Sequence, residues 1–167
     1  MKLNPAKYTF GVEEGQFLGY YVTKEGIQPS STKVNELEAT RSPCTVRDAQ
    51  GLNGKLTALS RFISKSAEKA MSLFNTLKEA EEALQRIKKV LHTLPTLASP
   101  IPEEVLQVYL STSRDTISSS LVADREGRQL PVYFVSRALQ SLDMNYPTIE
   151  KRVLSLVYAT RRLRQYF

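Results

Sequence analysis

Hydrophobic and polar positions alternate at the start of the chain, switch to helical spacing in the middle, and return to alternation near residue 104. In YTFGVEEGQFLGYYVTKEGI, Tyr8, Phe10 and Val12 alternate, Glu14-Gly15 offers a turn, and Phe17 to Val22 resumes before Gly26 and Pro29. This pattern predicts a β-hairpin turning at Gly15 and ending at Lys24-Glu25-Gly26, with aromatic faces but too few strands to fold alone. After Pro43, Thr45 is placed to cap a helix and Asp48 stands three residues on as its capping-box partner. Val46, Ala49, Leu52, Leu56, Leu59, Phe62 and Ile63 then recur at helical spacing. Gly51 and Gly54 inside that run each cost on the order of 1 kcal/mol relative to Ala, which predicts a close backbone approach or a kink. A second helix is expected over about 66–78. A third, EAEEALQRIKKVLHTL, runs from acidic to basic in the sense that complements the helix dipole, with Leu84, Ile87, Leu91 and Leu94 as its apolar stripe.

Pro95, Pro100 and Pro102 mark a connection, and a domain boundary is expected there, dividing 1–95 from 103–167. Strands follow over about 104–111, 116–123 and 130–136, the last two joined by the turn Asp124-Arg125-Glu126-Gly127. Within them VYLSTSRDTISSSLV, residues 108–122, reads as two strands around a polar bend. The final segment, TIEKRVLSLVYATRRLRQYF, carries Ile149, Val153, Leu156, Val157, Thr160, Leu163 and Phe167 on one face of an amphipathic helix. Hairpin, helices, three antiparallel strands and a helix make the class α+β.

Composition narrows the function classes. With 167 residues, 41% hydrophobic and 24% charged, the chain can bury a core in one domain or two small ones. No apolar run approaches the roughly 20 residues of a membrane span, and Met-Lys-Leu-Asn-Pro lacks the apolar stretch of a signal peptide, so an intracellular protein, cytoplasmic or nuclear, is expected. Cys44 and His92 each stand alone, which leaves no disulfide framework and no Cys/His zinc site within the chain. A net charge of +6 and a pI near 9.5 favour polyanionic partners such as nucleic acid. Arg161, Arg162 and Arg164 form the densest basic patch, suited either to phosphate contacts that read no sequence or to a solvated helix C-terminus.

KLNPAKYTFGV and FLGYYVTKEGIQPSSTKV, then SPCTVRDAQGLNGKLTALSRFISKSAEKAMSLFNTLK, then LPTLASPIPEEVLQVYLSTS and PVYFVSRALQSLDMNYPTIEKRVLSLVYATRRLRQYF, resemble in that order the Pol polyprotein of gypsy-type LTR retrotransposons. The first pair is similar to the end of the reverse transcriptase palm, the middle stretch to the thumb and connection helices, and the last pair to the start of the attached RNase H-like domain. The resemblance therefore implies a hairpin and helical thumb/connection segment followed by a partial RNase H-like domain. It also implies that the polymerase's metal-binding carboxylates, including the YxDD motif, belong to segments before Met1, and that Met1 is an internal methionine of a longer frame. Between Leu77-Lys78 and Glu82-Ala83 the family carries a further Trp-containing segment, so an internal deletion is expected there; the chain has no Trp.

RNase H chemistry, as the resemblance implies it, uses paired Mg2+ ions clamped by clustered carboxylates. The family's T-D-A-S acid aligns with Ser111, and the acid in its E-K-E-L-L-A helix aligns with Arg152. A hydroxyl does not offset divalent charge, and a guanidinium repels it. Later family acids fall beyond Phe167, so no catalytic residue, cofactor or metal site is expected in this chain. Asp115 and Asp124 are turn residues, and Glu150 is rotated about 200° around its helix from Arg152. The resemblance makes Tyr20 and Tyr21 candidates for primer-strand contact and Lys55, Arg61 and Lys65 candidates along the thumb, beside Arg161, Arg162 and Arg164. The expected function is a non-catalytic remnant of a retrotransposon reverse transcriptase/RNase H polyprotein. Alternatives are a residual non-specific binder of RNA–DNA hybrid or single strands, polymerase/RNase H activity only within a longer parent polyprotein, or a nuclease using other acids such as Asp115. In the complete family fold the first RNase H strand is central and pairs with a later strand, so an open edge, with aggregation or poor solubility, is expected here.

Overall fold

Alternation in the first third builds a three-stranded meander in place of the expected hairpin. The computed structural model describes residues 11–17, 19–74 and 77–166. Strands β1 (Gly15–Phe17), β2 (Tyr20–Thr23) and β3 (Gly26–Pro29) pair antiparallel in that order. Gly15 opens β1 rather than making a turn; the bends fall at Gly19, with φ of 78°, and at Lys24-Glu25. Tyr8 and Phe10, expected in the first strand, lie outside the described residues.

The helical layer begins one element earlier than the periodicity predicts, with α1 (Ser31–Glu38), which buries Leu37 completely. Helix α2 (Val46–Ala58) starts on the expected capping box, with the Asp48 N–H donating to Thr45 Oγ1 at 3.1 Å and the Thr45 N–H to Asp48 Oδ2 at 3.0 Å. Its buried face is Ala49, Leu52 and Leu56. Val46 is 71% exposed, because the first helical residue here projects before that face reaches the core. Gly51 and Gly54 make neither a close approach nor a kink: both sit on the solvent side of a continuous helix with open space around the Cβ position. A 3-10 turn at Ser60–Phe62 leads to α3 (Ser66–Met71), a second 3-10 turn at Ser72–Phe74, and then α4 (Leu77–Leu91). Leu84, Ile87 and Leu91 of α4 meet Leu37, Leu52, Leu56, Leu59, Phe62 and Ile63 in one core.

The second sheet is an antiparallel β4 (Leu106–Thr112), β5 (Thr116–Arg125) and β6 (Arg128–Ala138), with a register shift at Leu121/Val122 and the turn at Glu126-Gly127. Its two faces separate by alternation. Phe134 of β6 packs on the helical core, and Ser136 Oγ accepts the Ala67 N–H at the start of α3. On the other face, Leu121, Ala123 and Val135 pack with Ala159 and Leu163 in a second core that carries α5 (Thr148–Arg162).

Helix α5 departs from its sequence pattern. An amphipathic helix is expected to bury its apolar stripe, yet Ile149, Val153, Leu156 and Val157 are 65%, 56%, 44% and 40% exposed. The helix docks instead through Lys151, Ser155, Ala159 and Leu163, one residue per turn. Small Ser155 and Ala159 let the backbone approach the sheet, Ser155 bonds Ser119, and Lys151 Nζ donates to the Arg114 carbonyl at 2.8 Å. Of the predicted stripe only Leu163 is buried; Phe167 lies outside the described residues.

The proline-marked connection ties the two sheets together. Leu97 exchanges two 2.8 Å backbone hydrogen bonds with Ile27 of β3, and the next N–H, of Ala98, donates to Pro131 of β6. Gly26 lies against this joint with φ of 144°, where a Cβ would run into the Leu97 carbonyl oxygen. Arg125 clamps the far end, donating from Nε and Nη2 to Glu104 at 2.6 and 2.9 Å and to the Ser99 carbonyl at 2.8 Å. Among the described residues no strand pairs with the outer side of β4, and no helix is long and apolar enough to cross a membrane.

Candidate nucleic-acid interface

Ser111 and Arg152, the two positions that the resemblance sets against family acids, are not brought together. Ser111 of β4 pairs with Ser118 of β5, which pairs with Ser136 of β6, so alternation turns Ser111 to the face covered by α3. There it lines a hollow of about 100 Å3 with Ser64, Lys65, Tyr109 and Ser120. Arg152 is exposed on α5, which packs on the opposite face. Asp115 accepts the Leu139 N–H through its carbonyl and holds Arg114 only at 3.9 Å. Asp124 is exposed at the end of β5 and Glu150 is exposed in the first turn of α5. Among the described residues no three His, Cys, Asp or Glu side chains gather where they can hold one metal ion.

Of the candidates nearer the start of the chain, two are engaged in packing. The Tyr20 ring lies 5.6 Å from Phe62 and carries Lys33 Nζ at 5.0 Å and the Arg61 guanidinium at 4.9 Å. Arg61 spans from Tyr20 to Tyr133 of β6, 4.6 Å from the second ring, and its buried Nε has no hydrogen-bond partner. Its charge is thus placed between two aromatic faces, joining the meander to the second sheet. Lys55 is exposed and donates to Thr40 Oγ1 at 2.9 Å. Lys65 is exposed in a left-handed backbone conformation, φ 51°, at the start of α3, and Tyr21 is 45% exposed.

The basic end of α5 remains open to solvent, with Arg161, Arg162 and Arg164 all exposed. Arg162 lies 5.8 Å from the centre of the Tyr158 ring, and hydrogen bonding with Tyr158 pushes its guanidinium pKa above the ordinary value. A further cation, Arg137 of β6, lies 5.7 Å from the same ring and is held by Asp143 at 3.3 Å. Arg137, Tyr133 and Tyr158 were not candidates from the sequence. The signal existed in spacing: Tyr133 and Arg137 share one face of a strand, and Tyr158 and Arg162 sit one helical turn apart. What brings the two pairs to one place is the docking of α5, which that spacing does not encode.

Residues 77–167 match the family described as the RNase H-like domain found in reverse transcriptase. The retrovirus-related Pol polyprotein from transposon 297 of Drosophila melanogaster is 29% identical over 99% of this chain, and that from transposon opus is 27% identical over 99%. The chain spans only 16% and 18% of those relatives' lengths. The transposon Tf2-3 polyprotein of Schizosaccharomyces pombe is 22% identical over 98% of the chain and 13% of its own length. In fold, the foamy viral protease-reverse transcriptase solved with an RNA/DNA hybrid superposes with a TM-score of 0.71 at 20% identity, over 90% of this chain and 22% of that one. The same protein solved with dsDNA gives 0.72 at 20% identity, over 93% and 34%.

Proposed function

The chain belongs to the family of RNase H-like domains found in reverse transcriptase, and on that premise we propose that it is a non-cleaving, nucleic-acid-binding segment of a retrotransposon Pol polyprotein. The observation that carries this reading is the chemistry at the two positions the resemblance sets against family acids: Ser111 is neutral and lines a hollow that Lys65 also lines, and Arg152 is a cation on the helix that covers the other face of the sheet. Two-metal hydrolysis needs concentrated negative charge, and this pair supplies a net positive one. The Arg161, Arg162 and Arg164 cluster, the +6 net charge and the likeness in fold to a protein solved with hybrid and with dsDNA support retained affinity for a phosphate backbone.

The test pairs binding with cleavage on one substrate. A labelled RNA–DNA hybrid is titrated with the chain at several salt concentrations, then incubated with it in Mg2+ and in Mn2+. The reading expects affinity that falls steeply with salt and intact RNA after incubation. Cleavage that copurifies with the chain and disappears in Asp115→Asn overturns the non-cleaving half; affinity that is undetectable or independent of salt overturns the binding half.

A further inference from the structure

We infer that the groove along the outer edge of β6 is a site for an unpaired nucleotide, the base lying against Phe74 and the phosphate between Arg137 and Arg162. The groove runs between α2 and α3 on one side and the end of α5 on the other, with a volume of about 540 Å3. Clefts of a few hundred to about 1,000 Å3 enclose small organic ligands, so a mononucleotide unit fits.

Its lining has the composition that an unpaired nucleotide needs and a double helix does not. Phe74 projects into it from the 3-10 turn after α3 and is 46% exposed, an aromatic face with room for a partner. By contrast, the Tyr133 ring already holds Arg61 on its face and Tyr166 at 6.4 Å. Arg137 and Arg162 both line the groove and both lie within 6 Å of the Tyr158 ring centre, at 5.7 and 5.8 Å, so two like charges flank one aromatic side chain of the wall. Asp143 offsets one of them through Arg137; Arg162 makes no ion pair among the described residues. Among the described residues no carboxylate lines the groove. A guanidinium beside an aromatic wall that makes no ion pair, here Arg162, recognises an anion attached to a planar ring, with Arg137, partly offset by Asp143, as the second cation, and bases stack on aromatic side chains with little regard to sequence. A paired base inside a duplex presents no free face to Phe74, which separates this site from backbone contacts made by Arg161 and Arg164.

This inference rests on the nucleic-acid-binding reading above, and its test separates the two. The full chain is titrated against a labelled single-stranded oligothymidylate, a blunt RNA–DNA hybrid of the same length, and free thymidine monophosphate, with Phe74→Ala and Arg162→Gln as variants checked for an unchanged melt. Phe74→Ala is expected to weaken single-strand binding about tenfold and leave the hybrid unaffected. Arg162→Gln is expected to weaken it and lower the salt slope by about one phosphate contact. Monophosphate binding as tight as the strand's identifies a free nucleotide as the ligand; strand binding alone identifies an unpaired stretch of nucleic acid. Single-strand affinity that ignores Phe74→Ala, or an Arg162→Gln loss equal on strand and hybrid, overturns the groove while leaving the broader reading standing. No binding of any of the three at low salt overturns both.

Discussion

The hydroxyl of Ser155 on α5 lies 3.0 Å from the hydroxyl of Ser119 on β5, and this buried polar pair seats the helix on the sheet. Ser155 Oγ also donates to the Ser118 carbonyl at 3.2 Å. A helix with four exposed apolar residues on one side is thereby held by the opposite side. Ser155→Ala removes the 3.0 Å hydroxyl contact and the bond to Ser118, leaving Ser119 only its longer 3.4 Å bond to the Ser155 carbonyl, and is expected to cost about 1 kcal/mol in a urea melt. The Ser119→Ala, Ser155→Ala double variant should cost less than the sum of the singles, because both remove one interaction. Additive losses would show that the pair is not coupled.

The stripe that α5 turns outward, with the unpaired outer side of β4, predicts self-association of the isolated chain. Sedimentation at rising concentration should show it. Val153→Lys with Leu156→Lys should reduce it while changing stability by about 0.5 kcal/mol or less, since both residues are substantially exposed. A monomer at every concentration contradicts the prediction.

Acid should loosen the connection before the cores. The Arg125 side chain, then the Ile101 N–H, hold the Glu104 carboxyl at about 2, below an ordinary value of 4.5. A lowered folded-state pKa means the stabilisation is complete above 4.5 and is lost as pH falls toward 2. Glu104→Gln should flatten the stability profile across that window and lower stability at neutral pH, where Arg125 loses its charged partner. An identical acid profile for the variant would count against the clamp.

Gly26→Ala should disrupt the junction at Leu97. The left-handed φ of 144° strains any L side chain by about 1–3 kcal/mol, and the new methyl meets backbone, which moves less easily than a side-chain tip. The neighbouring exposed Glu25→Ala serves as control in thermal melts, and equal melting temperatures for the two variants would refute the assignment.

Arg61 should behave as a structural residue. Its guanidinium lies against Tyr20 and Tyr133, so Arg61→Leu is expected to lower the melting temperature yet leave the salt slope of nucleic-acid binding unchanged. A slope reduced by about one, with an unchanged melt, would return Arg61 to the phosphate-contacting set.

The legible parts of the fold share one property: their signal is local. Thr45 and Asp48 cap α2 because both partners lie within one turn, and the β5–β6 hairpin turns at Glu126-Gly127 because Gly accepts the left-handed backbone there. Helix α1 has a weak local signal although Val34 and Leu37 carry helical spacing, since its eight residues offer a short pattern and Ser30 makes no side-chain cap. The candidate site was legible in part. The arginines at the end of α5 stand together in sequence, whereas Arg137, Tyr158 and Phe74 come from three separate elements.

The order of amino acids by itself determined the α+β class, the three antiparallel strands and closing helix, and the family, because these follow from periodicity, caps and motifs carried along the chain. Only the tertiary structure decided which side of α5 meets the sheet, that Arg61 serves as a joint between aromatic rings, and that Phe74 and two arginines share a groove. The reason is physical: periodicity states which residues share a face, but the choice between faces depends on close approach and on hydrogen-bond partners such as Ser119, 36 residues away.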